Sequence, residues 1–535
     1  MTLLSRRQVI GGVAASAAAV ALGAPSIHAQ KGRRILRFAA QSNLSVVDPI
    51  WTTAYITRNH GYLVYDTLFG TDESLQIKPQ MVEQFSVSAN GMTYTFRLRD
   101  GLRWHDGQPV RSEDCVESLK RWGKRDRFGQ LLMAHTARIA PVDQKTFTLE
   151  LGERFGPVLD ALGKTGSNVP FMMPARIATT PPDQEIKQVV GSGPFKFVKD
   201  EWVPGKQSGN QAVYVRNPEY VPRNEAPSGS AGGKAAHLDR IVWRYIPDFG
   251  FASQLLDTGE VDWWEYPPVE FIPKIEQNPA LRTVLLDPLR TQGWLRPNHL
   301  HPPFNNKKAR QALVHMMDQL TYLYLAIEQA EYYRPCPSVF ACGGPYVTQA
   351  GAEPILKHDL DKARQLVKES GYDGRPVVVI TATDYPFLPK AAAVTRQRLE
   401  AIGFKVDLKE MDWATNIVVR ARKDAPAKGG WNILHAFFTG ADVINPGVHF
   451  AVSGAGPAAW FGWPEVPQLE KLITSWVRAT DQVKRKQVAE EIQKVALEEV
   501  TYVPWGEWFM PMACRKTVQG ILKFTAPVFW NVTIK

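Results

Sequence analysis

Cysteine is scarce. The chain of 535 residues holds four, Cys115, Cys336, Cys342 and Cys514. No pair is spaced Cys-x-x-Cys and no His-Glu-x-x-His occurs, so the common zinc signatures are missing. The nearest metal pattern is His299-x-His301, which reads as loop or surface rather than as a ligand pair. A phosphate loop is missing as well. Gly163-Lys164-Thr165 carries the end of one, but Val158 stands where the upstream glycine belongs. Ser228-Gly229-Ser230-Ala231-Gly232 lacks the first glycine of a nucleophile elbow. The 53 acidic residues offer many carboxylate pairs, and none stands out. Binding without chemistry is therefore the leading reading, with an exported hydrolase as the alternative.

Charge of one sign is not concentrated either. The net charge is +10, but Lys and Arg are interleaved with Asp and Glu. The densest basic runs are 31–34 and 420–423, too short for a nucleic-acid groove. Long apolar runs are missing beyond the first thirty residues, where no segment reaches 18 uninterrupted apolar residues. Residues 1–29 read as a removable signal. Arg6 and Arg7 form a positive start, an apolar Ala/Gly-rich stretch follows, and Ile27-His28-Ala29 resembles a cleavage site. The paired arginines look like a twin-arginine export signal, which predicts a soluble periplasmic protein. In that oxidising compartment Cys336 and Cys342 can close a small loop; two free thiols are the alternative.

What is present is a chain rich in ordered structure. Hydrophobic residues make up 44%, charged residues 22%, and 16 residues are Trp. That length calls for two or three lobes. Short strands are predicted at 35–40, 146–151, 238–246 and 261–266. Asn90-Gly91 between alternating runs marks a hairpin over 85–98. Ser112 is read as the cap of a helix whose apolar face carries Cys115, Val116, Leu119 and Trp122. A helix is also expected near 59–68. From about residue 290 helices and strands alternate. Helices are predicted from Asn305 or Asn306, at 360–369 capped by Asp359, at 391–402 and at 481–499. Strands are predicted at 377–380, 404–408 and 431–438. A strand–helix–strand unit of this kind implies a partly parallel, buried sheet.

The pieces resemble the peptide- and nickel-type extracellular solute-binding proteins of ABC importers, family 5. The resemblance spans nearly the whole chain after the signal. Its most specific part is Tyr94-Thr95-Phe96-Arg97-Leu98-Arg99-Asp100-Gly101-Leu102-Arg103-Trp104-His105-Asp106-Gly107-Gln108-Pro109-Val110. Gly191-Ser192-Gly193-Pro194-Phe195, Arg216-Asn217-Pro218-Glu219-Tyr220, Gly259-Glu260-Val261-Asp262, the stretch from Lys307 to Leu313 and that from Asp361 to Leu366 before Gly371-Tyr372 match in order. Trp104 and Asp106 are expected to lock a turn.

The resemblance implies an α/β, two-lobed periplasmic-binding-protein-like fold with an extra subdomain inserted in the first lobe. It places the first lobe at 33–75, 190–288 and 502–535, the inserted subdomain at 76–189 and the second lobe at 289–501. It implies a monomer that closes on a small solute, with peptide as the default, and then docks on a membrane permease. Nickel complexes, haem, opines and oligosaccharides are alternative ligands. No cofactor or resident metal is implied. Peptide-binding relatives place an Asp in a Thr-Gly-Asp-type stretch before Pro. Here Phe438-Thr439-Gly440-Ala441-Asp442-Val443-Ile444-Asn445-Pro446 carries Asp442 one place later. Asp442 is the candidate for a ligand amine and Arg296 for a carboxylate. Trp413, Trp431 and Trp263 are candidate aromatic walls. Trp263 and Trp264 are adjacent on a strand, so at most one of them faces the cleft.

Overall fold

The computed structural model describes residues 34–205 and 210–535. The expected signal at 1–29 lies outside the described residues.

The first strand, Ile35–Ala40, sits in the middle of a seven-stranded sheet. It pairs in parallel with Arg240–Tyr245 on one side and Trp263–Trp264 on the other. Phe195–Phe197 and Ala212–Arg216 extend the sheet beyond Arg240–Tyr245, and Met512–Arg515 and Leu281–Val284 extend it beyond Trp263–Trp264. These outer pairings are antiparallel. The core beneath this sheet is aromatic: Phe38 and Phe529 pack against each other and each against both Trp243 and Trp263.

A second sheet has six strands in the order Tyr333–Arg334, Val503–Trp508, Thr291–Pro297, Ile433–Thr439, Val377–Ala382, Val406–Met411. Val377–Ala382 pairs in parallel with both of its neighbours, as the strand–helix–strand pattern predicts. Every residue of Thr291–Pro297, Ile433–Thr439 and Val377–Ala382 is buried. Strands covered on both faces carry continuous apolar runs, and each fully buried Val, Leu or Ile stabilises by about 1.5–3 kcal/mol. Helix Phe387–Ala401 covers this sheet and starts four residues before its expected position.

The inserted subdomain is a four-stranded antiparallel sheet in the order Val82–Val87, Thr93–Leu98, Thr146–Leu151, Thr136–Pro141. Asn90-Gly91 forms the predicted hairpin, with Gly91 at φ 73°, where a side chain would be strained. Phe96, Leu98, Phe147 and Leu149 are buried, as are Cys115, Val116, Leu119 and Trp122 of helix Ser112–Arg125. Ser112 does not cap that helix. Its hydroxyl donates to the Asp143 carbonyl, and Asp114 accepts the Arg111 N–H at 2.8 Å instead. Asp114 also accepts from Trp104 Nε1 at 3.1 Å, while Asp106 accepts the Gln108 N–H, so both family-motif residues fix a turn.

Two segments join the large sheets, 285–290 and 509–511. The second crossing falls later than expected. Val503–Trp508 pairs along Thr291–Pro297 in the six-stranded sheet, so the chain returns to the first lobe only after Trp508. The expected helix near 59–68 is Tyr55–Val64, since Asp66–Thr67 is taken up by a short strand.

Candidate functional site

The edge of the second sheet leads directly to a cleft between the lobes. Val377–Ala382 ends at Asp384 and Tyr385, and the parallel neighbour Val406–Met411 ends at Asp412, the cap of helix Trp413–Arg420. Asp412 accepts the Thr415 N–H, and Asp384 accepts the Trp413 N–H at 2.5 Å. Tyr245 from the first sheet donates its hydroxyl to the same Asp384 at 3.0 Å. Ligand sites in α/β folds gather at such carboxyl ends of parallel strands.

Two cavities flank Tyr385. The larger, about 710 Å³ including its mouth, takes Gln41, Tyr245 and Trp264 from the first lobe, Asp384, Tyr385 and Phe387 from the second, and Phe509, Met510 and Pro511 from a crossing segment. The smaller, about 350 Å³ including its mouth, is walled by Ser42, Thr53, Ala54 and Tyr55 on one side and Tyr385, Trp413, Arg420, Phe437 and Phe438 on the other. Trp413 and Arg420 lie seven residues apart, two turns of one helix, and so share a face. The Arg420 guanidinium stacks 5.1 Å from the Trp413 ring and 5.0 Å from Phe461. Burial lowers its pKa to about 10, so it remains charged at neutral pH.

The carboxylates near the cleft are already engaged. Glu265 is fully buried and accepts from Gln41 N, Gln41 Nε2 and Asn59 Nδ2, each at 2.9 Å. Burial outweighs these bonds and pushes it up to about 7. Asp287 on the first crossing segment is also raised by burial to about 7. Asp442 is buried and accepts from Tyr55 Oη at 2.6 Å, Ser167 N at 2.7 Å, and the Ser167 and Thr439 hydroxyls at 3.3 Å each.

The residues expected from the sequence separate in the structure. Trp413 lines the smaller cavity. Asp442 lies behind it, tied to the first lobe and the subdomain rather than open to a ligand. Trp263 does not reach the cleft: it is packed against Phe38 and Phe529, and its neighbour Trp264 takes the cavity side. Trp431 is fully buried, and its Nε1 donates to the Arg420 carbonyl, so it braces the helix end from behind. Arg296 is fully buried and donates to the carbonyls of Phe461, Ala451, Thr501 and Trp460. It ties loops together and lines neither cavity. Of the pair Trp263-Trp264, of which at most one was expected at the cleft, Trp264 is the one that lines it. Tyr55, Tyr385 and Arg420 were not predicted; for Arg420 the available signal was the seven-residue spacing from Trp413.

Cys336 and Cys342 are joined in a disulfide, with Cα atoms 6.1 Å apart. Glu507 beside them accepts the Cys342 N–H. This is the one His/Cys/Asp/Glu grouping of metal-site size among the described residues, and its sulfurs are bonded to each other. His299 and His301 bond separate carbonyls, of Val500 and Lys423. No helix of the described residues is long and apolar enough to cross a membrane.

Two lobes, two crossing segments and a cleft walled by both define a bilobal solute-binding protein. A family model for bacterial extracellular solute-binding proteins, family 5, matches residues 76–441, and the chain belongs to that family. The "Probable peptide ABC transporter periplasmic-binding protein y4tO" of Sinorhizobium fredii is 38% identical over 540 residues, 99% of either chain. Among solved structures, DppA of Helicobacter pylori in complex with peptide STSA superimposes with a TM-score of 0.79 at 21% identity, covering 94% of this chain and 98% of that one. AgaA of A. tumefaciens R10 in complex with agropinic acid gives 0.78 at 21% identity, covering 94% and 99%. Both share the fold.

Proposed function

We propose that this chain is the substrate-binding component of an ABC importer, acting as a monomer in the periplasm after export by the twin-arginine route and loss of residues 1–29. Its ligand is a small solute, with peptide as the leading class. The solute bridges the lobes and shifts an open–closed population, and the closed form docks on the membrane permease. No bond is made or broken. The observation that supports this best is the cleft itself. Its walls come from both lobes and from a crossing segment, so a ligand there touches both lobes that close on it. The aromatic walls favour contact tolerant of side-chain identity. The likeness to the Sinorhizobium relative supports peptide as the class.

An opine-like acid is the second reading. It is favoured by the engagement of Asp442, whose bonds from Tyr55, Ser167 and Thr439 compete with a ligand amine. Thermal unfolding of protein lacking residues 1–29, with di- to tetrapeptides, opines, sugars and nickel complexes, tests both. A ligand at 100 times its Kd adds about 2.7 kcal/mol of stability. Peptide-specific stabilisation with the peptide recovered intact is expected. Peptide consumption would replace binding by hydrolysis as the function.

A further inference from the structure

Five arginines of the described residues are buried: Arg58, Arg121, Arg296, Arg310 and Arg420. Four have hydrogen-bonded guanidinium groups. Arg58 bonds Asn59, Arg121 pairs with Asp48, Arg296 bonds four carbonyls, and Arg310 bonds Glu499 and Phe304. Arg420 is 4% exposed, its Nε is buried without a hydrogen-bond partner, and no ion pair reaches its guanidinium among the described residues. Its neighbours are the ring faces of Trp413, Trp460 and Phe461. A buried charge held this way is costly, because ring faces supply no hydrogen-bond acceptor in the plane of the guanidinium. The same residue lines the cavity bounded across the cleft by Ser42, Thr53 and Tyr55.

We propose that Arg420 is the anchor for a carboxylate of the transported solute, and that the aromatic-walled cavity beside it receives the anionic end of that molecule. The inference rests on the reading of the cleft as the solute site, and it names the group recognised there. A planar guanidinium meets a carboxylate in two parallel hydrogen bonds, and the dry, ring-lined surroundings strengthen them. Trp431 acts as a positioning residue, since its Nε1 holds the Arg420 carbonyl at 3.1 Å. The charge stands unneutralised until the ligand arrives, so closing on a carboxylate is favoured over closing on a neutral molecule.

The test uses protein lacking residues 1–29 and a panel of di- to tetrapeptides, each as the free acid and as the C-terminal amide, with mannopinic and agropinic acids as non-peptide carboxylates. Calorimetry is expected to give free acids that bind roughly 10- to 100-fold more tightly than their amides, the range of charge-assisted hydrogen bonds. Arg420→Met is expected to erase that ratio, and Arg420→Lys to keep part of it. In the ligand-free state Arg420→Met is expected to unfold at or above the wild-type midpoint, since it removes an unpaired buried charge. A fall of that midpoint would give Arg420 a structural role and overturn the proposal. Equal binding of acids and amides would overturn it and leave the peptide reading standing. Arg420-dependent binding of the opines with no peptide bound would end the peptide reading and uphold the anchor. Binding of no carboxylate at all would overturn both.

Discussion

The Tyr55 hydroxyl donates to Asp442 Oδ2 across the cleft at 2.6 Å and accepts the Thr439 N–H at 2.8 Å. One oxygen of the first lobe thus satisfies two groups at the end of the central strand of the second. Burial and the nearby Asp442 charge push its pKa well up, so it stays a donor. Tyr55→Phe is expected to leave Thr439 N–H without its partner and Asp442 with one donor fewer, costing about 1–3 kcal/mol of the closed form. The variant should show a larger radius of gyration in solution scattering and weaker solute binding, because only the closed fraction holds ligand fully. An unchanged radius and affinity would show that this pair does not hold the lobes together.

Local features of the fold were legible in the sequence and remote ones were not. The hairpin at Asn90-Gly91 and the parallel unit from Val377 to Met411 are set by neighbours within a few tens of residues. Alternation gave Trp263 and Trp264 opposite faces. Which face meets the cleft depends on Phe529 and Met510, which arrive from the other end of the chain. Arg296 and Arg420 are the same residue type, both near aromatics in sequence. Their roles diverge because carbonyls from 451, 460, 461 and 501 converge on one and ring faces on the other. The boundary placed after 501 failed for a similar reason, since strand pairing with Thr291–Pro297 carries Val503–Trp508 into the second lobe.

Arg296 is expected to behave as a structural tie. Arg296→Met leaves the carbonyls of Ala451, Thr501, Phe461 and Trp460 without their shared donor in a dry interior. Each unsatisfied group costs about 1–3 kcal/mol, offset in part by removal of the buried charge, so a net loss of about 3 kcal/mol is expected in urea unfolding. Solute affinity of the folded protein should be unchanged. A loss of affinity at unaltered stability would return Arg296 to the role of ligand anchor.

The disulfide closes a short loop. Cys342 lies six positions after Cys336, and the chain-entropy relation assigns such a loop about 2 kcal/mol. The double variant Cys336→Ser, Cys342→Ser is expected to lose about that much. Part of the loss should appear locally, as faster hydrogen exchange at Cys342, whose N–H is held by Glu507. Two free thiols in mass spectra of unreduced protein would remove the basis for the prediction.

Glu265 is expected to make the protein weaken as pH rises. Its pKa is raised in the folded state to about 7 from 4.5, first by burial, against the hydrogen bonds from Gln41 and Asn59 and the charge of Arg58. A raised carboxyl holds its proton more tightly folded than unfolded. Its stabilising contribution is therefore complete below about pH 4.5 and is lost as pH climbs through 7. Other groups also titrate in this window, so the informative quantity is the stability difference between wild type and Glu265→Gln. The amide cannot reproduce every bond of the carboxyl, since its NH2 faces donors on Gln41 and Asn59, and the variant should be the less stable at pH 5. That gap should narrow by about 2–3 kcal/mol between pH 5 and pH 8, at about 1.4 kcal/mol per unit of displaced pKa. Urea unfolding of both proteins at half-unit intervals measures it. A constant gap would mean that Glu265 titrates near its ordinary value, and a widening one that it is ionised and stabilising, with Arg58 and its three donors outweighing burial.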